Sequence, residues 1–205
     1  MGLGDLSAKY ESNGDPAAVS DGVGDGGGVS FGIYQFSSAA GVVQKFVDWL
    51  RQHDGPFNQY GEVLAAAGDP DSEAFQDKWR ELGTTDPGGF TDLQQEYVKP
   101  IYFDTGVDNL MRRYGFDIPS RSDALKEVLW SNCVQHGSYY GAQVFKDAAD
   151  LAGQDLNSIS DHDLIYNIYE VKLTDMSWSS GSPDERPGLF ARWNNERDDA
   201  LAMLG

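Results

Sequence analysis

Scarcity excludes more than abundance in this chain. It has a single cysteine, Cys133, so no intrachain disulfide framework is open to it. That residue sits in an apolar helical run, where a buried, inert thiol is expected. Three scattered histidines, His53, His136 and His162, do not make a zinc site with one cysteine. The acidic stretches "DPDSE" and "DHD" lack the alternating ligands, central glycine and closing glutamate of a calcium loop. "GVGDGGG" is not followed by Gly-Lys-Ser/Thr, so it is not a phosphate loop, and no Gly-x-Ser-x-Gly elbow occurs. No metal or cofactor is therefore expected.

Basic residues are also few. Fifteen Lys and Arg stand against 33 Asp and Glu, a formal net charge of −18. Such a surface repels nucleic-acid phosphates and anionic membranes and attracts a polycation. No run of about 18 apolar residues occurs, so membrane insertion is not expected. The opening "MGLGDLSAKYES" has neither a basic start nor a long apolar stretch, so a cleaved secretory signal is not expected either. A protein made in the cytoplasm and working outside the cell would then need a carrier: a virus particle, an injection machine or release by lysis. There is no internal repeat and no low-complexity linker, which predicts one domain over residues 1–205.

What is present is a globular composition, 40% hydrophobic and 12% aromatic. Leu3, Leu6 and Tyr10 at helical spacing predict a short helix ending near Glu11. Residues 13–28 are rich in turn formers and read as loop or hairpin, before the short "VSFGIYQF". From Ser38 the helical period takes over. "SSAAGVVQKFVDWLRQH" sets Val42, Phe46, Trp49 and Leu50 on one face, with Ser37 or Ser38 as cap. "PDSEAFQDKWREL" repeats the pattern with Phe75, Trp79 and Leu82. A long helix follows, which Pro100 must kink or break. "SDALKEVLWSNCVQHG" reads as a central buried helix ending at Gly137. In "SISDHDLIYNIYEVKL", Ser160 with Asp163 predicts a capped start. Trp49, Trp79 and Trp130 read as core. The chain is mainly α with a small irregular or β-hairpin element near its front.

Chemistry points to two carboxylates. Cleaving a glycosidic bond needs one acid kept protonated and a second group opposite it. Glu11, at a helix end beside Tyr10, Phe31 and Tyr34, suits the first role: apolar neighbours and the negative helix end both raise a carboxyl pKa. Asp25, fourteen positions on inside "VGDGGGVS", suits the second, because glycines let a loop approach a sugar and turn back. Asp15 in "NGDP" and Asp21 in "SDG" are its rivals, both with the look of turn formers. His136 closes an apolar helix before a glycine, where it either caps the last carbonyls or faces a cleft. Trp178 lies in the polar "DMSWSSGSPDERPG", where an indole can stack on a sugar or fold back on the domain.

The stretch "YESNGDPAAVS…GGVSFGIYQF" resembles the lysozyme-like superfamily, in particular soluble lytic transglycosylases and goose-type lysozymes. These have a Glu-Ser pair at a helix end, here Glu11-Ser12, and a Gly-x-x-Gln block, here Gly32 to Phe36. "GDGGGVSFGIYQF" also resembles the chitosanases of that superfamily. The resemblance implies a lysozyme-like fold, with Glu11 as general acid and Asp25 as base, although their gap is shorter than in chitosanases. A lone-acid mechanism with an anhydro-sugar product is the alternative. The resemblance puts Tyr34 or Gln35 in the sugar groove, and Ser30, His136 and Trp178 are the other substrate contacts expected. The order of "SAKYES", "W…VQHG" and a closing "R…ER" helix is similar to peptidoglycan hydrolases of phage tails and injection machines. The partners implied are peptidoglycan strands, or chitosan, and other virion or tail proteins. A structural component that binds glycan without cutting it is the reading from another class.

Overall fold

The first helix, α1 (Asp5–Glu11), ends where the spacing of Leu3, Leu6 and Tyr10 predicted. The computed structural model describes residues 3–11, 14–20, 28–180 and 183–205, the side chains of Glu11 and Pro183 excepted. Within it the chain divides into two compact units, Met1–Tyr10 with Lys99–Gly205, and Glu11–Val98.

The Glu11–Val98 unit is built on a minimal hairpin. β1 (Ser30–Phe31) pairs antiparallel with β2 (Phe36–Ser37), Phe31 opposite Phe36. Four helices follow: α2 (Val42–Gln52), α3 (Asn58–Ala67), α4 (Glu73–Thr85) and α5 (Pro87–Val98). The hairpin phenylalanines enter an aromatic cluster, with Phe31 5.2 Å and Phe90 4.8 Å from the Trp79 ring and Phe36 5.0 Å from Phe46. Burying each such ring stabilises the fold by about 1.5–3 kcal/mol. The fully buried Gln94 binds two loops at once. Its Oε1 accepts from Ile33 N at 2.8 Å, and its Nε2 donates to Pro16 O at 3.1 Å. Gly32 must be glycine there: its φ is +69°, and a Cβ would lie 2.1 Å from Gln94 Oε1.

Two local expectations for α2 are corrected. No serine caps it; Gly41, in the left-handed region, precedes it, while Ser37 lies in β2 and accepts from Ala40 N. The buried face is Val43, Phe46, Val47 and Leu50, with Val42 and Trp49 only flanking it. Once the hairpin fills one side of the helix, the tighter i, i+3, i+4, i+7 set packs better.

In the other unit, the long apolar pattern is broken at Pro100 as expected. A π-helical turn (Pro100–Asp104) leads into α6 (Thr105–Tyr114). A proline has no N–H to continue the ladder, and the wider turn absorbs the mismatch. The central α7 (Asp123–Leu151) is two helices joined at Gly137, whose φ of 78° and ψ of 155° are non-helical. The halves pack so closely that a Cβ on Gly141 would lie 2.7 Å from Cys133 N. Cys133 is buried, and desolvation pushes its thiol up to about 12, as an inert cysteine requires. α8 (Asp161–Thr174) starts at Ser160, whose Oγ accepts from Asp163 N as predicted. A short 3₁₀ helix (Met176–Ser179) precedes α9 (Arg186–Ala202). Trp130, Tyr169 and Trp193 are all at most 1% exposed. Among the described residues the architecture is thus mainly α with one small hairpin near the front, as expected.

Candidate functional site

The break in α7 makes a cavity. Because Gly137 turns the chain out of helical geometry, Gln135 and His136 end one half of α7 and Tyr140 opens the next. Asp175 caps the following 3₁₀ helix by accepting from Ser177 N at 2.9 Å, and that turn carries Trp178 over the imidazole. The Trp178 and His136 rings meet edge to face at 5.1 Å, and Tyr140 stands perpendicular to Trp178 at 6.4 Å. Together with Gln143, Asp147 and Trp193 they enclose about 650 Å³. An aromatic wall, amides and carboxylates at the rim make a site suited to a sugar.

The floor of this cavity is a buried polar network. Lys172, fully buried in α8, donates to Asn132 Oδ1 at 3.0 Å and to Gln135 Oε1 at 2.8 Å, and lies 4.7 Å from the Trp193 ring centroid. Trp193 Nε1 donates to the same Gln135 oxygen at 2.9 Å. The Gln135 carbonyl is thereby fixed by two donors and cannot swing. Behind it, the fully buried Glu196 accepts from the Ser131 hydroxyl, and Arg192 Nε stands 3.8 Å from its second oxygen.

Electrostatics fix the state of the imidazole. Burial, with the charges of Lys172 and Arg192, lowers the His136 pKa to about 3, so it is neutral throughout the physiological range. Its Nε2 is buried and has no hydrogen-bond partner among the described residues. It caps no helix carbonyl through that atom, and the imidazole is part of the cavity lining.

The same cation reaches the end of α1. The Arg192 guanidinium lies 6.0 Å from the ring of Tyr10, the residue before Glu11. Tyr10 OH donates to Asp199, and burial together with that carboxylate raises its pKa well above the usual phenol value. Of the two expected catalytic groups, the Glu11 side chain and the whole of Asp25 lie outside the described residues, as does its rival Asp21. Asp15 forms a turn, as its sequence context suggested: its Oδ1 accepts from Ala17 N at 2.9 Å.

The five expected substrate contacts fall into two groups. His136 and Trp178 are brought together in the cavity. Ser30, Tyr34 and Gln35 are on the hairpin of the other unit. Tyr34 is 8% exposed and packs on Phe36 at 6.3 Å. Gln35 is exposed in the left-handed region, φ 53°, beside a shallow depression formed with Asp15, Ser20, Arg80 and Thr84. Sequence reasoning did not find Tyr140, Gln143, Asp147, Asp175, Lys172 or Trp193. Tyr140, Gln143 and Asp147 share one face of α7 at i, i+3 and i+7, but nothing along the chain links that face to Lys172 in α8, to Asp175 or to Trp193 in α9.

Residues 3–197 match the family described as "Type VI secretion system spike protein VgrG3-like, C-terminal". The chain belongs to this family. It is 32% identical over 172 residues to the type VI secretion system spike protein VgrG3 of Vibrio cholerae serotype O1. That match takes in 83% of the chain and only 16% of the much longer relative. Among solved structures, a native chitosanase of Bacillus subtilis MY002 aligns with a TM-score of 0.63 at 18% identity, over 97% of this chain and 87% of that one. A mutant of a chitosanase from the same strain, complexed with 6 GlcN, gives 0.64 at the same identity and coverage. A further chitosanase complex gives 0.53 at 18% identity, over 84% of this chain and 76% of that one. At this identity the likeness establishes the fold.

Proposed function

We propose that residues 1–205 form a glycoside hydrolase domain that cleaves the β-1,4 bonds of peptidoglycan after delivery by a type VI secretion spike. One observation carries this reading: Trp178, Tyr140 and the neutral His136 line one cavity in a chain whose fold is shared with chitosanases. In the mechanism, Glu11 protonates the oxygen leaving the scissile bond. Asp25 activates water or balances the oxocarbenium-like charge. Trp178 and Tyr140 bear the sugar face beside the neutral His136 ring. Of the carriers considered, family membership supports the injection machine.

A specific observation favours chitosan as a second substrate. Asp147 and Asp175 at the cavity, and a net charge of −18, suit a polymer of amino sugars, and the fold is shared with chitosanases. Incubating the purified chain with cell-wall sacculi and with chitosan, and measuring reducing ends, separates the two. Glu11→Gln should remove nearly all turnover with the circular dichroism spectrum unchanged. Anhydro-sugar ends among the products would mark the lone-acid route. Binding to sacculi without any release would favour a structural component.

A further inference from the structure

We propose that Glu127 is a positioning residue that fixes where α1 delivers Glu11; the proposal rests on the glycosidase reading above. α1 has seven residues, well short of the dozen or so at which an isolated helix persists in water. Its place must therefore come from what it docks on. At its start, the Glu127 carboxylate spans two main-chain donors, Oε1 accepting from Gly4 N at 2.6 Å and Oε2 from Leu6 N at 3.0 Å. These belong to the first-turn N–H groups that a helix cannot satisfy itself. At its other end, Asp199 of α9 receives both Lys9 Nζ and Tyr10 OH. Between the two anchors Leu6, Ser7 and Ala8 are buried, so the helix has no freedom to roll.

The carboxylate is an unusual choice for stability alone. Glu127 is 2% exposed, and an apolar side chain there would avoid the cost of burying a carboxyl group. What a forked acceptor adds is direction: two hydrogen bonds set both the height and the rotation of the helix start. Glu127 also belongs to the first half of α7, the half that ends at Gln135 and His136. Nine helical residues span about 13 Å. One rigid rod therefore holds the helix that carries the acid at one point and the floor of the sugar cavity at another. α7 thus fixes both the start of α1 and the cavity floor on one element. A displacement of about 1 Å at a reacting group can cost about 100-fold in rate.

The test is Glu127→Met in the full chain, with turnover on sacculi or chitosan, whichever the wild type cuts, and hydrogen exchange read over residues 3–10. The expected result is a fall in kcat of about tenfold or more with KM within about twofold. Exchange at Leu6, Ser7 and Ala8 should quicken while the α7 core keeps its protection. Glu127→Gln, which keeps one acceptor, should fall between. A Met variant with unchanged kcat, one that loses only KM, or one with equally protected α1 amides would overturn the proposal. If the Met variant does not fold, Glu127→Asp takes its place. It keeps the charge but draws the fork back by one methylene, and full activity there is equally fatal. A wild-type chain that cuts neither polymer sinks the glycosidase reading; the exchange measurement then still decides whether Glu127 holds α1.

Discussion

Two buried groups should shape the stability of this protein against pH, and in opposite senses. Burial raises the Glu127 carboxyl from 4.5 to about 7, against the opposing pull of the Leu6 and Gly4 N–H groups. Its contribution is complete below pH 4.5 and is lost as pH rises through about 7. His136 is lowered from 6.5 to about 3 by burial and then by Lys172 and Arg192, so its contribution is complete above pH 6.5 and is lost as pH falls towards 3. At about 1.4 kcal/mol per tenfold change in proton affinity, these amount to about 3 kcal/mol for Glu127 and about 5 kcal/mol for His136. Between pH 4.5 and 6.5 the two slopes oppose and nearly cancel. Single substitutions uncover each in turn. Urea unfolding followed by tryptophan fluorescence, at intervals from pH 3 to 8, should show Glu127→Gln gaining about 5 kcal/mol from pH 3 to 6.5 relative to a profile without His136. His136→Gln should instead lose about 3 kcal/mol between pH 4.5 and 7 relative to a profile without Glu127. Asp161 and Asp199, both held below their usual value of 3.8, are common to every variant and drop out of the differences. Difference curves against wild type that do not vary with pH would refute the assignment of both groups.

Two further outcomes follow from the cavity. Trp178→Ala removes the indole that closes over His136. KM should rise about tenfold with kcat nearly kept, as expected for one lost stacking contact, and initial rates against oligomer concentration would show it. Gly137→Ala forces a side chain into φ 78°, ψ 155°, at a cost of about 1–3 kcal/mol, and should displace His136. Thermal unfolding with a binding titration on the same variant checks both; a variant as stable and as tight as wild type contradicts the role given to the kink.

Helix positions were legible because their cause is local. The end of α1 at Glu11, the break at Pro100, the stop at Gly137 and the Ser160 cap each follow from spacing or from one residue's backbone preference. In α2, Phe46 and Leu50 lie on the expected face, but Val43 and Val47 stand in for Val42 and Trp49, since which residues turn inward depends on the hairpin packed against the helix. The pairing of His136 with Trp178 was half legible. Each residue drew notice by its own context, but their 5.1 Å contact links residues 42 positions apart.

By itself, the sequence determined the class of the fold, the short helix carrying Glu11, the glycine at the bend of the central helix and the acidic surface. Each depends on neighbours along the chain or on a sum over it. Only the tertiary structure decided that His136 is neutral, that Lys172 can sit buried under Gln135, and that Glu127 grips α1 across more than 120 residues of chain. Desolvation and hydrogen-bond direction depend on which groups meet in space, and no periodicity along the chain encodes that.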